Sequence, residues 1–175
     1  MTFATELSRR EWRPAVDRVM AAVKQDPDRL PELVDTLRHE REGVVMRGAM
    51  ALADIGRAHP DWLRPYHTEM IALLRQDPID ATNRCLFRYF AELPLEDIDP
   101  AVEGDLLDLA FTRGSNPNRK VTIRIWGLQI VMNYTARYPE LREELREVIE
   151  GQMETAPAGF RSRGGKILRA LREAG

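Results

Sequence analysis

The chain has 175 residues, of which 43% are hydrophobic and 31% charged, and its formal net charge is −2. That composition belongs to a folded chain of about one domain, large enough to bury a core; it excludes a disordered tail and a global field directed at nucleic acid or a membrane. The single cysteine, Cys85, excludes an internal disulfide and a Cys-based metal site, and no apolar stretch approaches the roughly 18 residues that span a bilayer.

The opening stretch, Met1 to Arg10, places charges where a secretion signal needs an apolar run, so a soluble, cytoplasmic protein is expected. From there apolar residues recur at helical spacing. Trp12, Val16, Val19, Met20 and Val23 predict a helix over 11–25; Leu30, Leu33, Val34 and Leu37 predict one over 28–39. Helices follow over 43–58 and 61–76, the second on Leu63, Tyr66, Met70 and Leu74. Further helices are predicted over 79–93, 101–113, 118–137, 140–154 and 160–173. No segment alternates with period two between hairpin turns, so the fold class is all-α. Proline marks the joints at Asp26-Pro27, His59-Pro60, Asp77-Pro78, Asp99-Pro100 and Tyr138-Pro139, where it suits a first helical turn. An acid follows in Pro27-Asp28, Pro60-Asp61 and Pro139-Glu140, as the helix dipole favours. The gaps are short, and Gly114–Pro117 and Thr155–Gly159 are the segments expected to be most mobile.

Self-comparison is the most informative reading. A shift of 79 residues lays His59-Pro60-Asp61-Trp62 over Tyr138-Pro139-Glu140-Leu141, and Met70 over Ile149. The half-period shows in Arg47, Arg84, Arg124 and Arg163, spaced by 37, 40 and 39 and each early in the second helix of a pair. A two-helix unit near 40 residues predicts a right-handed α-solenoid, because one pair cannot bury its apolar face alone. The chain is expected to be a single domain over 1–175. Within it, 1–26 forms an N-terminal cap, and the helix pairs are 28–58, 61–93, 101–137 and 140–173.

A helix, a short turn with an acid or Pro, then a second helix with an early Arg resembles the HEAT repeat, as in Leu73-Leu-Arg-Gln-Asp-Pro-Ile-Asp-Ala-Thr-Asn-Arg84. The segment from Tyr138 to Lys166 also resembles small bacterial HEAT-like proteins, some labelled adenylosuccinate lyase. The lyase superfamily fold is a much longer helical enzyme, and its only echo here is the loop Gly114–Lys120, ordinary turn chemistry. A non-enzymatic reading is therefore taken.

Catalytic and metal-binding patterns are sparse. His39, His59 and His67 lack a second histidine at helical ligand spacing and read as surface residues, with His59 at a helix end. Cys85, beside Leu86, Phe87 and Phe90, reads as a small buried hydrophobe. Asp97 and Asp99 read as a solvated turn that starts the next helix. No metal, cofactor or phosphate loop is implied. Trp12, Trp62 and Trp126 lie on helical stripes and read as core, and 123–132 is apolar nearly all round, as in a helix buried between neighbours.

Charge is unevenly distributed. Residues 92–108 hold seven acids and no base, whereas 113–137 hold five bases and no acid; 161–172 hold Arg161, Arg163, Lys166, Arg169 and Arg172 and no acid. Internal pairing is one reading: Glu140, Glu143, Glu147 and Glu150 meet neighbouring Arg, and Arg47, Arg84, Arg124 and Arg163 form an inter-repeat ladder with turn acids such as Asp77. The other is a basic concave groove. On that reading Arg119, Lys120, Arg124, Arg161, Arg163, Lys166 and Arg169 bind an acidic protein or peptide, and the chain is a non-catalytic scaffold. The alternative is a nucleic-acid-binding protein of the HEAT-like DNA alkylation-repair type, which needs aromatics and an acid such as Trp62, Trp126 and Asp54 or Asp80 to converge.

Overall fold

The residue before a proline is pushed out of helical geometry, and here that effect sets the joints. Asp26 and His59 precede Pro27 and Pro60 with almost the same backbone, φ −137°, ψ 87° and φ −136°, ψ 72°. In each, the N–H closes the preceding helix, to the carbonyls of Ala22 at 2.9 Å and Ile55 at 2.8 Å. Each carbonyl then opens the next helix, from Arg29 and Trp62, both at 3.1 Å. Tyr138 repeats the pattern with Tyr134 at 2.8 Å and Leu141 at 3.1 Å, so the 79-residue shift holds in the hydrogen bonds.

The computed structural model describes residues 1–175, and every regular element in it is helical. Two compact units are present, Met1–Val102 and Glu103–Gly175. The first contains α1 (Phe3–Leu7), α2 (Trp12–Gln25), α3 (Leu30–Asp35), α4 (Glu42–Ala58), α5 (Pro60–Leu63), α6 (His67–Arg75) and α7 (Asp80–Glu92). The second contains α8 (Glu103–Ser115), α9 (Val121–Tyr134), α10 (Leu141–Met153) and α11 (Ala158–Ala174).

In the first unit α4 lies against both α2 and α7, and its Leu52 and Ile55 are fully buried with Leu33, Leu63, Met70, Phe87 and Phe90. Helix α1, too short at five residues to show a periodicity, docks through the buried Phe3 and Leu7 and through polar contacts. Arg47 donates to the carbonyls of Leu7 at 2.5 Å and Arg9 at 2.9 Å, satisfying a helix end. Glu6, 2% exposed, accepts from Arg18 at 2.6 Å. The stretch 61–76 is not one helix: Pro65 lacks an N–H, and the chain narrows to a 3-10 turn over Arg64–Tyr66. The stretch 28–39 likewise has 3-10 turns at both ends, Pro27–Arg29 and Thr36–Arg38, around α3. Helix α6 stops at Asp77, which has φ 51°; there Asn83 donates to the Asp77 carboxylate at 3.1 Å and to the Pro78 carbonyl at 2.5 Å.

In the second unit α9 packs on α8, α10 and α11, and Ile123, Leu128, Ile130 and Val131 are buried on several of its sides, as expected from its apolar sequence. A Cβ on Gly127 would stand 2.6 Å from the Ala110 carbonyl, so only glycine lets α8 and α9 come this close. Gly114 meets the same interface: it is buried inside α8, which runs on through Ser115 rather than ending in a loop at Gly114. Glu103 at the start of α8 accepts from both Arg137 and Tyr138, tying down the end of α9.

Candidate functional site

The bases singled out in the sequence all fall in the second unit, and they divide by environment. Phe160, Gly164, Ile167 and Leu171 form the buried stripe of α11. The remaining arc presents Arg161, Lys166, Arg169 and Arg172, all exposed, with no acid between residues 161 and 172. The side chains of Lys166, Arg169 and Arg172 make no ion pair or hydrogen bond within the protein. Internal neutralisation by α10 does not account for this face: Glu143 pairs with Arg146 on its own helix, and Arg142 donates to the Ala174 carbonyl at 3.3 Å. Arg161 turns back to cap the Ala156 carbonyl at 2.8 Å. Arg163 stands half-buried over the Trp126 ring, 4.9 Å from its centroid, and donates to Gln129 at 3.3 Å.

Arg124 is of another kind. It is 3% exposed, and its guanidinium lies 4.2 Å over the Phe160 ring. It donates to the Gln152 side-chain oxygen, while the Gln152 amide donates to the Ser115 carbonyl at 2.7 Å. Its Nε–H has no acceptor. Burial alone holds this guanidinium below the usual arginine range. Arg119, half-buried, and Arg124 both line a cavity of about 160 Å³ between the α8–α9 and α10–α11 connections, and Lys120 lies exposed at the entry to α9. Gln152 and Phe160, which hold Arg124 in place, were missed as partners; they lie 28 and 36 residues along the chain, and no local pattern joins them to it.

The regularly spaced arginines therefore do not form one ladder. Arg47 binds carbonyls, Arg84 is exposed, Arg124 and Arg163 lie on aromatic rings, and Asp77 accepts from Asn83. None of the three tryptophans is core: Trp62 and Trp126 are half-buried and Trp12 is exposed. Trp12 is 41% exposed because it opens α2 a turn before the stripe of Val16 and Val19 finds its partners. Trp62 stacks on His59 with centroids 4.1 Å apart, and Asp54 is paired with Arg57 at 2.9 Å.

His67 is not a surface residue. It is 0% exposed, its Nε2–H donates to the Tyr89 hydroxyl at 2.8 Å, and its Nδ1 accepts from the Asp99 N–H at 3.2 Å. Burial pushes its pKa down to about 4. The 3-10 turn before α6 puts position 67 on the apolar stripe, a register the sequence reading assigned to Tyr66. Cys85 is half-buried, and burial pushes its thiol up to about 11, so it is not an activated nucleophile. Asp99 caps the next turn by accepting from Ala101 N–H at 2.9 Å. No group of three or more His, Cys, Asp or Glu side chains is placed to hold a metal ion, and no helix is long and apolar enough to cross a membrane.

Paired helices joined at prolines, with second helices α4 and α7 packed together in one unit and α9 and α11 in the other, define an all-α helical-repeat scaffold of the solenoid class. The chain matches the HEAT repeat domain family over residues 3–171 and belongs to that family. HEAT repeat domains are helical scaffolds for protein interactions. The likeness to proteins labelled adenylosuccinate lyase has no support from this match. No curated protein and no solved structure matches the chain.

Proposed function

We propose that the chain is a non-catalytic HEAT-repeat scaffold that docks an acidic protein or peptide on the side of its second unit formed by α9 and α11. The observation that carries this reading is the outer arc of α11, where Lys166, Arg169 and Arg172 have no partner within the protein. Cations left unpaired on a rigid helix attract an acidic partner and set its orientation, and their desolvation against carboxylates gives charge-assisted hydrogen bonds. Arg161 and Arg163 border the arc and are part of the proposed surface. Arg119, Lys120 and Arg124, at the loop end of α9, belong to its anion-attracting end.

The test is capture of partners from the native lysate by wild type and by the Lys166→Glu/Arg169→Glu double variant, followed by affinity measurements on the recovered partner. The variant is expected to lose the partner, and wild-type binding to weaken as salt rises. An unchanged set of partners overturns the reading. The same face offered to duplex DNA provides the contrast: tight binding that falls steeply with salt would replace the acidic-protein reading with a nucleic-acid one.

A further inference from the structure

Two long helices begin side by side in the second unit. Val121, the first residue of α9, lies 3.7 Å from where a Cβ on Gly159, in the first turn of α11, would stand. The first turn of a helix leaves its N–H groups without partners inside the helix and carries the positive end of the dipole. That end is met by an acid in α4 (Glu42), α6 (Glu69), α7 (Asp80), α8 (Glu103) and α10 (Glu143), whereas α2 in the first unit has none. Neither α9 nor α11 has an acid in its first turn, and neither has a side-chain N-cap.

The cavity of about 160 Å³ opens at these two starts and is lined by Arg119, Val121, Arg124, Gln152, Thr155 and Pro157, with no carboxylate in its wall. Arg124 supplies the independent observation. It is almost completely buried, its Nε–H lacks an acceptor, and its bonded neighbour Gln152 is neutral. A buried cation without a counter-charge is a costly arrangement that an anion relieves. At about 160 Å³ the cavity is smaller than the roughly 300–1,000 Å³ of pockets for drug-sized ligands and matches one compact anionic group.

We propose that this cavity binds a single tetrahedral oxyanion of the phosphate class. Its donors come from separate elements, the Arg124 guanidinium from within α9 and Arg119 from the α8–α9 connection, and both helix starts turn their positive ends toward it. Oxygens that diverge tetrahedrally meet such donors together, whereas the two oxygens of a planar carboxylate face one fork. The cavity shares Arg119 and Arg124 with the docking surface proposed above but none of the α11 bases, so variants on α11 and in the cavity wall test the two readings separately.

The experiment titrates inorganic phosphate into the full chain at constant ionic strength, with chloride as the balancing anion. The readouts are the NMR resonance of the Arg124 Nε–H and the melting temperature. Phosphate is expected to move the resonance saturably and to raise the melting temperature with concentration, and chloride to do neither. A peptide carrying one phosphoserine and its unphosphorylated twin identify the source of the group. Binding of the phosphopeptide tenfold or more tighter than orthophosphate assigns it to a modified partner, and equal affinity assigns it to the free anion. Thr155→Glu, at an exposed position in the cavity wall, supplies an internal carboxylate; it is expected to abolish the phosphate response, while Lys166→Glu/Arg169→Glu preserves it. A resonance that phosphate leaves in place overturns the proposal. So does the opposite pattern, in which the α11 variant loses the response and Thr155→Glu keeps it.

Discussion

His67 has both ring nitrogens engaged by neutral partners, the Tyr89 hydroxyl and the Asp99 N–H, in a pocket closed by the edge of Phe90. The charged groups nearest in effect are Asp99, which favours the imidazolium, and Arg64, which opposes it, and desolvation outweighs both. The neutral imidazole is therefore the folded form. Its folded pKa of about 4 lies below the free value of 6.5, so its contribution is complete above 6.5 and is lost as pH falls through 4. The difference corresponds to about 3 kcal/mol. Urea midpoints are expected to fall steeply from pH 7 to pH 4 in wild type and less steeply in His67→Gln, the difference between the two curves isolating this residue from the carboxylates. Equal slopes would remove His67 from the acid response.

At the scale of the element, α1 is held by two buried side chains, Phe3 and Leu7, together with polar contacts from a distant helix. Its five residues cannot hold a helix alone, since helix nucleation is unfavourable at that length. Arg47 reaches across from α4 to the carbonyls at its end. Arg47→Ala is expected to cost about 1 kcal/mol and to raise amide exchange over Phe3–Leu7 while leaving α4 protected; exchange unchanged in α1 would show that the arginine does not hold it. The same contrast explains what was legible. Helices with a sustained stripe, α2, α4 and α7, were readable to within a residue or two because burial and periodicity coincide. Helix α1 and the break at Pro65 were not: the first depends on a contact 40 residues away, and the second on a proline inside an otherwise good stripe. Gly114 reads as a loop residue in the sequence, because nothing local distinguishes a glycine that ends a helix from one that admits a neighbouring backbone.

For the whole molecule, the repeat was the strongest signal, and the hydrogen bonds at Asp26, His59 and Tyr138 show why: each proline joint imposes the same local geometry, which one sequence carries independently of packing. The candidate site was legible as a run of charge and no further. Sequence could not separate Lys166 and Arg169, which meet solvent, from Arg124, which lies under Phe160, because that difference is set by tertiary neighbours.

Cys85 gives the first unit a built-in clock. It is the chain's sole thiol, set among the buried Leu86 and Phe87 of α7 and held protonated by burial. Because the thiolate is the reactive form, this half-buried, protonated thiol is expected to meet a disulfide reagent more slowly than the same thiol in the unfolded chain. The modification rate, compared with that of the unfolded chain, is thus expected to report local opening around α7 without an engineered label. Labelling as fast in native buffer as in strong denaturant would mean that the helix does not shield it.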